Sequence, residues 1–161
     1  MNPMPEVGQP APDFEGITQT GDKIRLSDFR GQKVVLYFYP KDNTPGCTRQ
    51  AKSLKEGWEK LQQQGITVIG VSPDSVESHR KFADKHQLPF LLVSDPDHTI
   101  AEQYGVWGER NLYGRKFMGI KRTTFLIDEQ GIIRKIIKRP DVKNHAHQVL
   151  EAWQKLITTS T

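Results

Sequence analysis

The chain has 161 residues, of which 35% are hydrophobic and 26% charged, with a formal net charge of +4 and one cysteine, Cys47. A chain of this length buries a core of its own, so we expect one domain, residues 1–161, that needs no disulfide or structural metal. A single cysteine also excludes an intrachain disulfide and a multi-cysteine zinc site. No apolar run is long enough for a signal peptide or a membrane span, so we expect a soluble, cytoplasmic protein that binds no membrane.

Basic residues are spread among acidic ones over most of the chain, which gives no reason to expect nucleic-acid binding. The exception is Arg110–Arg139, where nine lysines and arginines accompany two acids, Asp128 and Glu129. This segment either creates a local positive field that favours an anionic group or forms an ordinary solvated face.

Hydrophobic periodicity and turn residues predict a series of short elements. In chain order they are an extended segment at Met1–Asp13, a hairpin of Ile17–Thr18 and Lys23–Leu26, a short turn at Ser27–Asp28, a strand at Val34–Tyr39, a helix that ends at Gly65, a strand at Ile66–Val71, a helix at Ser75–Gln87, a strand at Phe90–Val93, a short helix at Thr99–Tyr104, an irregular stretch at Glu109–Gly119, a hairpin of Thr123–Ile127 and Ile132–Ile137, and a closing helix at Asn144–Ile157.

The order of these elements indicates the fold class. Val34–Tyr39 is continuously apolar and β-branched or aromatic, as in a central strand that is covered on both faces. It is followed by a helix and a second apolar run, which together make a right-handed βαβ unit. An early βαβ unit with a late hairpin and a C-terminal helix is the order of a thioredoxin-like α/β fold. We therefore expect a central mixed β-sheet with helices on both faces.

Cys47 lies between the end of that first buried strand and the start of the next helix, where open α/β sheets bind ligands. Thr44 suits the N-cap and Pro45 the first helical position, which makes Cys47 the third residue of the helix. Free N–H groups and the positive end of the helix dipole stabilise a thiolate there. The alternative is a small buried hydrophobic residue. The position of Cys47 after a strand, on a Thr-Pro-Gly turn, favours a nucleophile.

The spacing of Pro40, Thr44 and Cys47 resembles the P-x-x-x-T-x-x-C active-site signature of peroxiredoxins, the cysteine-based peroxidases. Within that family, Tyr37–Asp42 and Thr44–Thr48 are similar to the bacterioferritin comigratory protein subfamily, also called PrxQ. Further similar segments are Gly105–Glu109, Tyr113–Lys116 and Met118–Asp128. The resemblance covers nearly the whole chain, from Val7 to Ile157.

The resemblance implies a role for each matching residue. Cys47 is then the peroxidatic cysteine, which attacks the peroxide and becomes a sulfenic acid. Thr44 and the backbone N–H groups of Gly46 and Cys47 hold the peroxide, and Pro40 shields the site from water. Arg122 lends its guanidinium to the thiolate and to the departing oxygen. Without the resemblance, we would predict that Arg122 is an ordinary surface arginine. We expect no cofactor and no metal, and the resemblance suggests a monomer.

Members of this subfamily commonly carry a second, resolving cysteine, and here both usual positions hold other residues, Lys52 and Ala83. We therefore expect a 1-Cys cycle in which an external thiol reduces the sulfenic acid. The candidate reductants are glutathione with glutaredoxin, thioredoxin acting directly, or another small thiol. The substrate is hydrogen peroxide or an organic hydroperoxide, and the motifs do not separate the two.

Two other functions fit parts of this pattern. A thioredoxin-like redox sensor or partner-binding domain would use the thiol without turnover, although Pro40, Thr44 and Arg122 together favour catalysis. A thiol transferase is disfavoured because the chain has no C-x-x-C motif. The five histidines form no metal-binding motif such as HExxH.

Overall fold

The computed structural model describes residues 3–159, so the first two residues of the predicted extended segment lie outside it. The strands are β1 (Glu15–Thr18), β2 (Lys23–Arg25), β3 (Lys33–Phe38), β4 (Ile66–Ser72), β5 (Leu91–Ser94), β6 (Trp107–Leu112), β7 (Arg115–Ile120), β8 (Thr123–Ile127) and β9 (Ile133–Ile137). The helices are a 3-10 turn at Leu26–Phe29, α1 (Pro45–Glu56), α2 (Trp58–Gln63), α3 (Val76–His86), α4 (Thr99–Gln103) and α5 (His145–Thr159).

Seven of the described strands form one mixed sheet in the order β2-β1-β5-β4-β3-β8-β9, and β6 pairs with β7 apart from it. Strand β3 is parallel to β4 and antiparallel to β8, so it lies inside the sheet with a partner on each side. Its side chains alternate between two hydrophobic cores, with Tyr37 on one face and Phe38 on the other. This explains why its sequence is continuously apolar.

Helices cover both faces of the sheet. The core on the Tyr37 face is completed by side chains from α1, α2, α3 and α5, including Leu54, Leu61 and Phe82. The core on the other face is completed by α4, by Ile120 of β7 and by Phe14 near the start of the chain. The thioredoxin-like α/β class predicted from the order of elements is therefore confirmed. No helix within residues 3–159 is both long and apolar enough to cross a membrane.

Two predicted elements were wrong in form. The helix expected to run unbroken to Gly65 is interrupted at Gly57 and forms α1 and α2. The stretch expected to be irregular, Glu109–Gly119, forms most of the antiparallel hairpin β6–β7. Both early and late hairpins are found where predicted, with small shifts at their ends.

Candidate active site

The site is built on the loop between β3 and α1. Thr44 is the N-cap of α1, with the extended backbone angles φ −81° and ψ 154°, and Pro45 occupies the first turn. Cys47 is therefore the third residue of the helix, as the spacing predicts. The side chain of Cys47 is buried, at 2% exposure, and it packs in the same core as Tyr37 and Ala51.

Arg122 reaches the cysteine from a position 75 residues further along the chain. Its Nη2 donates to Cys47 Sγ at 3.3 Å, and its Nη1 donates to Gln50 Oε1 at 2.6 Å. The two halves of the chain meet here because β8, which begins just after Arg122, pairs with β3, and Thr123 lies opposite Phe38. A cation in this position stabilises negative charge on the sulfur.

The turn residues lie close around this contact. The Thr44 hydroxyl donates to Lys41 O at 2.9 Å and makes no capping bond to the helix. The Arg122 guanidinium passes close to Gly46, because a side-chain carbon added there would lie 3.2 Å from Nη2. Pro40 is half-buried at the start of the turn. The structure thus brings Arg122 to the turn that carries Pro40, Thr44, Gly46 and Cys47.

Gln50 is a site residue that sequence reasoning missed. It lies on α1 three residues after Cys47, which places both side chains on one side of the helix. Its side chain is fully buried and its Oε1 is the acceptor for Arg122, whereas its Nε2 has no hydrogen-bond partner within residues 3–159. A polar residue on the apolar side of α1, one turn beyond Cys47, was the available signal.

Tyr37 lies in the same core as the cysteine. Its hydroxyl is buried without a partner in the described part of the chain, and its ring stacks on Tyr39 with centroids 5.4 Å apart. Burial, and next the nearby charge of Cys47, raises the pKa of Tyr37 well above its usual value. The phenol is therefore protonated at neutral pH and adds no negative charge beside the Cys47 sulfur.

A family model described as the AhpC/TSA family matches residues 7–136 of this chain. The chain belongs to the AhpC/TSA family. It is 48% identical over 145 residues to a putative peroxiredoxin Bcp of Coxiella burnetii, across 90% of this chain and 96% of that protein. It is 46% identical over 151 residues to the peroxiredoxin Bcp of Bacillus subtilis, across 94% of this chain and 96% of that protein.

Solved structures agree with this assignment. A cysteine-to-serine mutant of Xylella fastidiosa PrxQ matches the whole length of both chains with a TM-score of 0.88 and 33% identity. A yeast mitochondrial 1-Cys peroxiredoxin, studied for thiol resolution via glutathione/thioredoxin systems, matches with a TM-score of 0.83 and 27% identity, over 98% of this chain and 78% of that one. The resemblance to the Bcp/PrxQ peroxiredoxins is thus confirmed, and with it a thiol peroxidase function.

This peroxiredoxin has no second cysteine with which Cys47 could pair. Lys52, five residues further along α1, is exposed, and Ala83 of α3 is buried in the core that contains Cys47. A disulfide within one chain is therefore chemically impossible.

A buried group of polar side chains lies beside the turn. Asp42, Asp74 and His79 hold potential metal-ligand atoms within 4.8 Å of one another. Both acids already accept hydrogen bonds from protein hydroxyl groups: Asp42 from Tyr39 and Ser78, and Asp74 from Ser72. Among the histidines, only His79 joins this group in residues 3–159.

Proposed function

We propose that this peroxiredoxin reduces hydrogen peroxide and organic hydroperoxides through Cys47 in a 1-Cys cycle. The contact between Arg122 Nη2 and Cys47 Sγ carries the proposal, because it places a permanent cation beside the sulfur. The lone cysteine requires that the reducing thiol come from another molecule.

In the first step the Cys47 thiolate attacks one peroxide oxygen and the O–O bond breaks. The sulfur is oxidised to a sulfenic acid, and the other oxygen departs as hydroxide or alkoxide, which then takes up a proton. The Thr44 hydroxyl and the N–H groups of Gly46 and Cys47 hold the peroxide, since N–H groups of a first helical turn have no intrahelical acceptor. Arg122 stabilises the negative charge that develops on the departing oxygen. Pro40 limits the access of water.

In the second step an external thiol attacks the sulfenic sulfur, forms a mixed disulfide with Cys47 and releases water. A second thiol then attacks that disulfide and restores the Cys47 thiolate. Thioredoxin or glutathione with glutaredoxin would serve, and the similarity to a 1-Cys peroxiredoxin studied with both systems supports this class of reductant. Such thiols are maintained in the cytoplasm, where we place the protein. We expect it to act as a monomer that needs no cofactor, metal, membrane or nucleic acid.

A peroxide-consumption assay tests the proposal. Purified protein is given hydrogen peroxide or cumene hydroperoxide with thioredoxin, with glutathione and glutaredoxin, or with a small dithiol, in separate reactions. We expect turnover with at least one reductant and none from Cys47→Ser. If Cys47 is oxidised stoichiometrically but no thiol supports turnover, the protein is a redox sensor and the proposed cycle is wrong.

A further inference from the structure

A buried polar cluster connects the turn before Cys47 to helix α3. Asp42 is 5% exposed and His79 is completely buried. Asp42 Oδ2 lies 2.7 Å from His79 Nδ1 and accepts the Ser78 hydroxyl at 2.8 Å. Its other oxygen, Oδ1, accepts the Tyr39 hydroxyl at 2.6 Å. These contacts bring Tyr39, which directly follows β3, the turn and the first turn of α3 together at one carboxyl group.

The two ring nitrogens of His79 have different partners. Nε2 lies 3.1 Å from the Val93 carbonyl oxygen of β5. Nδ1 faces the Asp42 carboxyl group, which already receives two hydroxyl donors. His79 thus links Asp42 to β5, with one contact at each ring nitrogen. Burial raises the pKa of Tyr39, so its hydroxyl stays a donor to this carboxylate.

The main chain of the turn is fixed at the same point. The Asp42 N–H donates to Asp74 Oδ2 at 2.8 Å, and that oxygen also accepts the Ser72 hydroxyl at 2.6 Å. The next residue, Asn43, has a φ of 64°, which a residue with a side chain seldom adopts. The chain then enters α1 at Thr44. Asp42 is thus held through its side chain and its backbone immediately before the residue that turns the chain toward Thr44.

A buried pair of titratable side chains is weak evidence for stability, because desolvation offsets most of their attraction. Such a pair can instead specify one local conformation. We propose that Asp42 and His79 are positioning residues, which hold the turn from Pro40 to Thr44 in the shape that presents peroxide to Cys47. This inference rests on the proposed function. It assigns neither residue a contact with the reacting atoms.

The test compares two reactions of Cys47 in the full chain. Hydrogen peroxide must be held by hydrogen bonds from the turn, whereas iodoacetamide alkylates the Cys47 thiolate without them. In Asp42→Asn, which replaces the carboxyl group with an amide of the same size, we expect the rate constant with peroxide to fall about 10- to 100-fold, the range that a misplacement of about 1 Å produces. The rate constant with iodoacetamide should stay within about threefold, because Cys47 and Arg122 are unchanged.

Glu77→Gln is the matched control, because it makes the same acid-to-amide change on α3 at an exposed side chain that pairs with Lys81. It should leave both rates unchanged. If Asp42→Asn does not fold, Ser78→Ala removes one donor to the Asp42 carboxyl group and keeps the contact with His79, and its peroxide rate alone should fall about threefold or more.

The positioning role would be overturned if the rate constants with peroxide and with iodoacetamide fell equally. It would also be overturned if a folded variant kept the peroxide rate of the wild type. A wild-type protein that does not react with peroxide would instead contradict the proposed function. The two failures are therefore distinguishable.

Discussion

At the scale of single residues, the site depends on the fork shape of one guanidinium. Arg122 donates from Nη2 to Cys47 and from Nη1 to Gln50, so the glutamine fixes the arm that faces the sulfur. A lysine ammonium in this position would carry the same charge but has no rigid fork with which to bridge both partners. The orientation of the cation therefore rests on Gln50 as well as on Arg122 itself.

Replacement of Gln50 by methionine tests this dependence. Gln50→Met keeps the volume of the buried side chain and removes the acceptor for Arg122 Nη1, so we expect the rate of Cys47 oxidation by peroxide to fall about tenfold or more. Gln50→Glu retains an acceptor and should recover most of the lost rate. Stopped-flow or competition kinetics with hydrogen peroxide measures both variants. Equal rates for wild type and Gln50→Met would show that Arg122 needs no such support.

The lone cysteine also makes the sulfenic acid vulnerable. Without a resolving thiol in the chain, excess peroxide should oxidise Cys47 onward to sulfinic acid when reductant is absent. Intact-mass spectrometry should then show a gain of about two oxygen atoms, and activity should not return with thiols. Addition of reductant before the peroxide is the control and should prevent the gain. A stable product only one oxygen heavier would contradict this expectation.

Whether a site residue can be predicted from the sequence depends on how far along the chain it lies from the other residues of the site. Pro40, Thr44 and Cys47 are close in the chain, so their spacing and cap chemistry already place them on one turn. Arg122 lies far from them in the chain and was selected only through the family resemblance. Gln50 was missed because its role depends on the pairing of β3 with β8, which brings Arg122 over α1.

At the scale of elements, the break between α1 and α2 lies at a glycine that packing against another helix requires. The apolar spacing of Ala51, Leu54, Trp58 and Leu61 continues through Gly57, so periodicity alone predicts one helix. Gly57 has an ordinary φ of −91°, but a side-chain carbon added there would fall on the Ala146 side chain of α5. The neighbour that requires glycine lies on another helix, and local pattern cannot reveal it.

Gly57→Ala should therefore destabilise the protein through a clash, with little contribution from backbone strain. We expect the free energy of unfolding to fall by about 1–3 kcal/mol, the usual cost of overpacking. Urea denaturation followed by circular dichroism measures it. Ala146→Gly in the same chain should restore part of the loss, because it removes the atom that the new methyl group meets. A double variant no more stable than Gly57→Ala would contradict this explanation.

The hairpin β6–β7 was missed for a different reason. Its strands are largely exposed and rich in polar and basic residues, so they show no alternation of apolar and polar positions. The turn residues are Tyr113 and Gly114, with φ values of 53° and 81°. Positive φ at both central residues is the geometry of a tight hairpin turn, which asparagine followed by glycine would have signalled more clearly.

The absence of a resolving cysteine predicts how α1 behaves during turnover. Position 52 faces solvent and position 83 holds alanine, so no disulfide has to form that would unwind the first turns of the helix. Hydrogen exchange at Ala51–Leu54 should stay unchanged after one equivalent of peroxide. Ala83→Cys supplies a comparison, since a second thiol there should permit a disulfide and raise exchange in α1. Increased exchange in the wild-type chain would contradict the prediction.

At the scale of the whole molecule, the closing helix connects the C-terminal end of the chain to the site. His145 at the start of α5 is fully buried, its Nδ1 donates to Gln148 Oε1 at 2.9 Å, and its Nε2 accepts the Thr124 hydroxyl at 3.0 Å. Thr124 lies on β8 opposite Tyr37 of β3. A neutral imidazole satisfies both contacts, whereas protonation would turn Nε2 from the acceptor of the Thr124 hydroxyl into a donor.

This histidine makes the stability of the whole fold depend on pH. Burial lowers the pKa of His145 to about 4, from an ordinary value of 6.5. Between these values the unfolded chain binds a proton that the folded chain does not, so the free energy of unfolding falls as the pH falls. The full contribution is present above pH 6.5, and about 3 kcal/mol is lost by pH 4.

Urea denaturation of wild type and His145→Gln at several pH values between 7 and 4 measures this loss. The free energy of unfolding of the wild type, relative to that of the variant, should fall with the pH by up to about 1.4 kcal/mol per pH unit. His86 and Asp95 also have shifted pKa values, but they titrate in both chains and cancel in the difference. Parallel stability curves for the two chains would show that His145 is not the group that couples folding to pH.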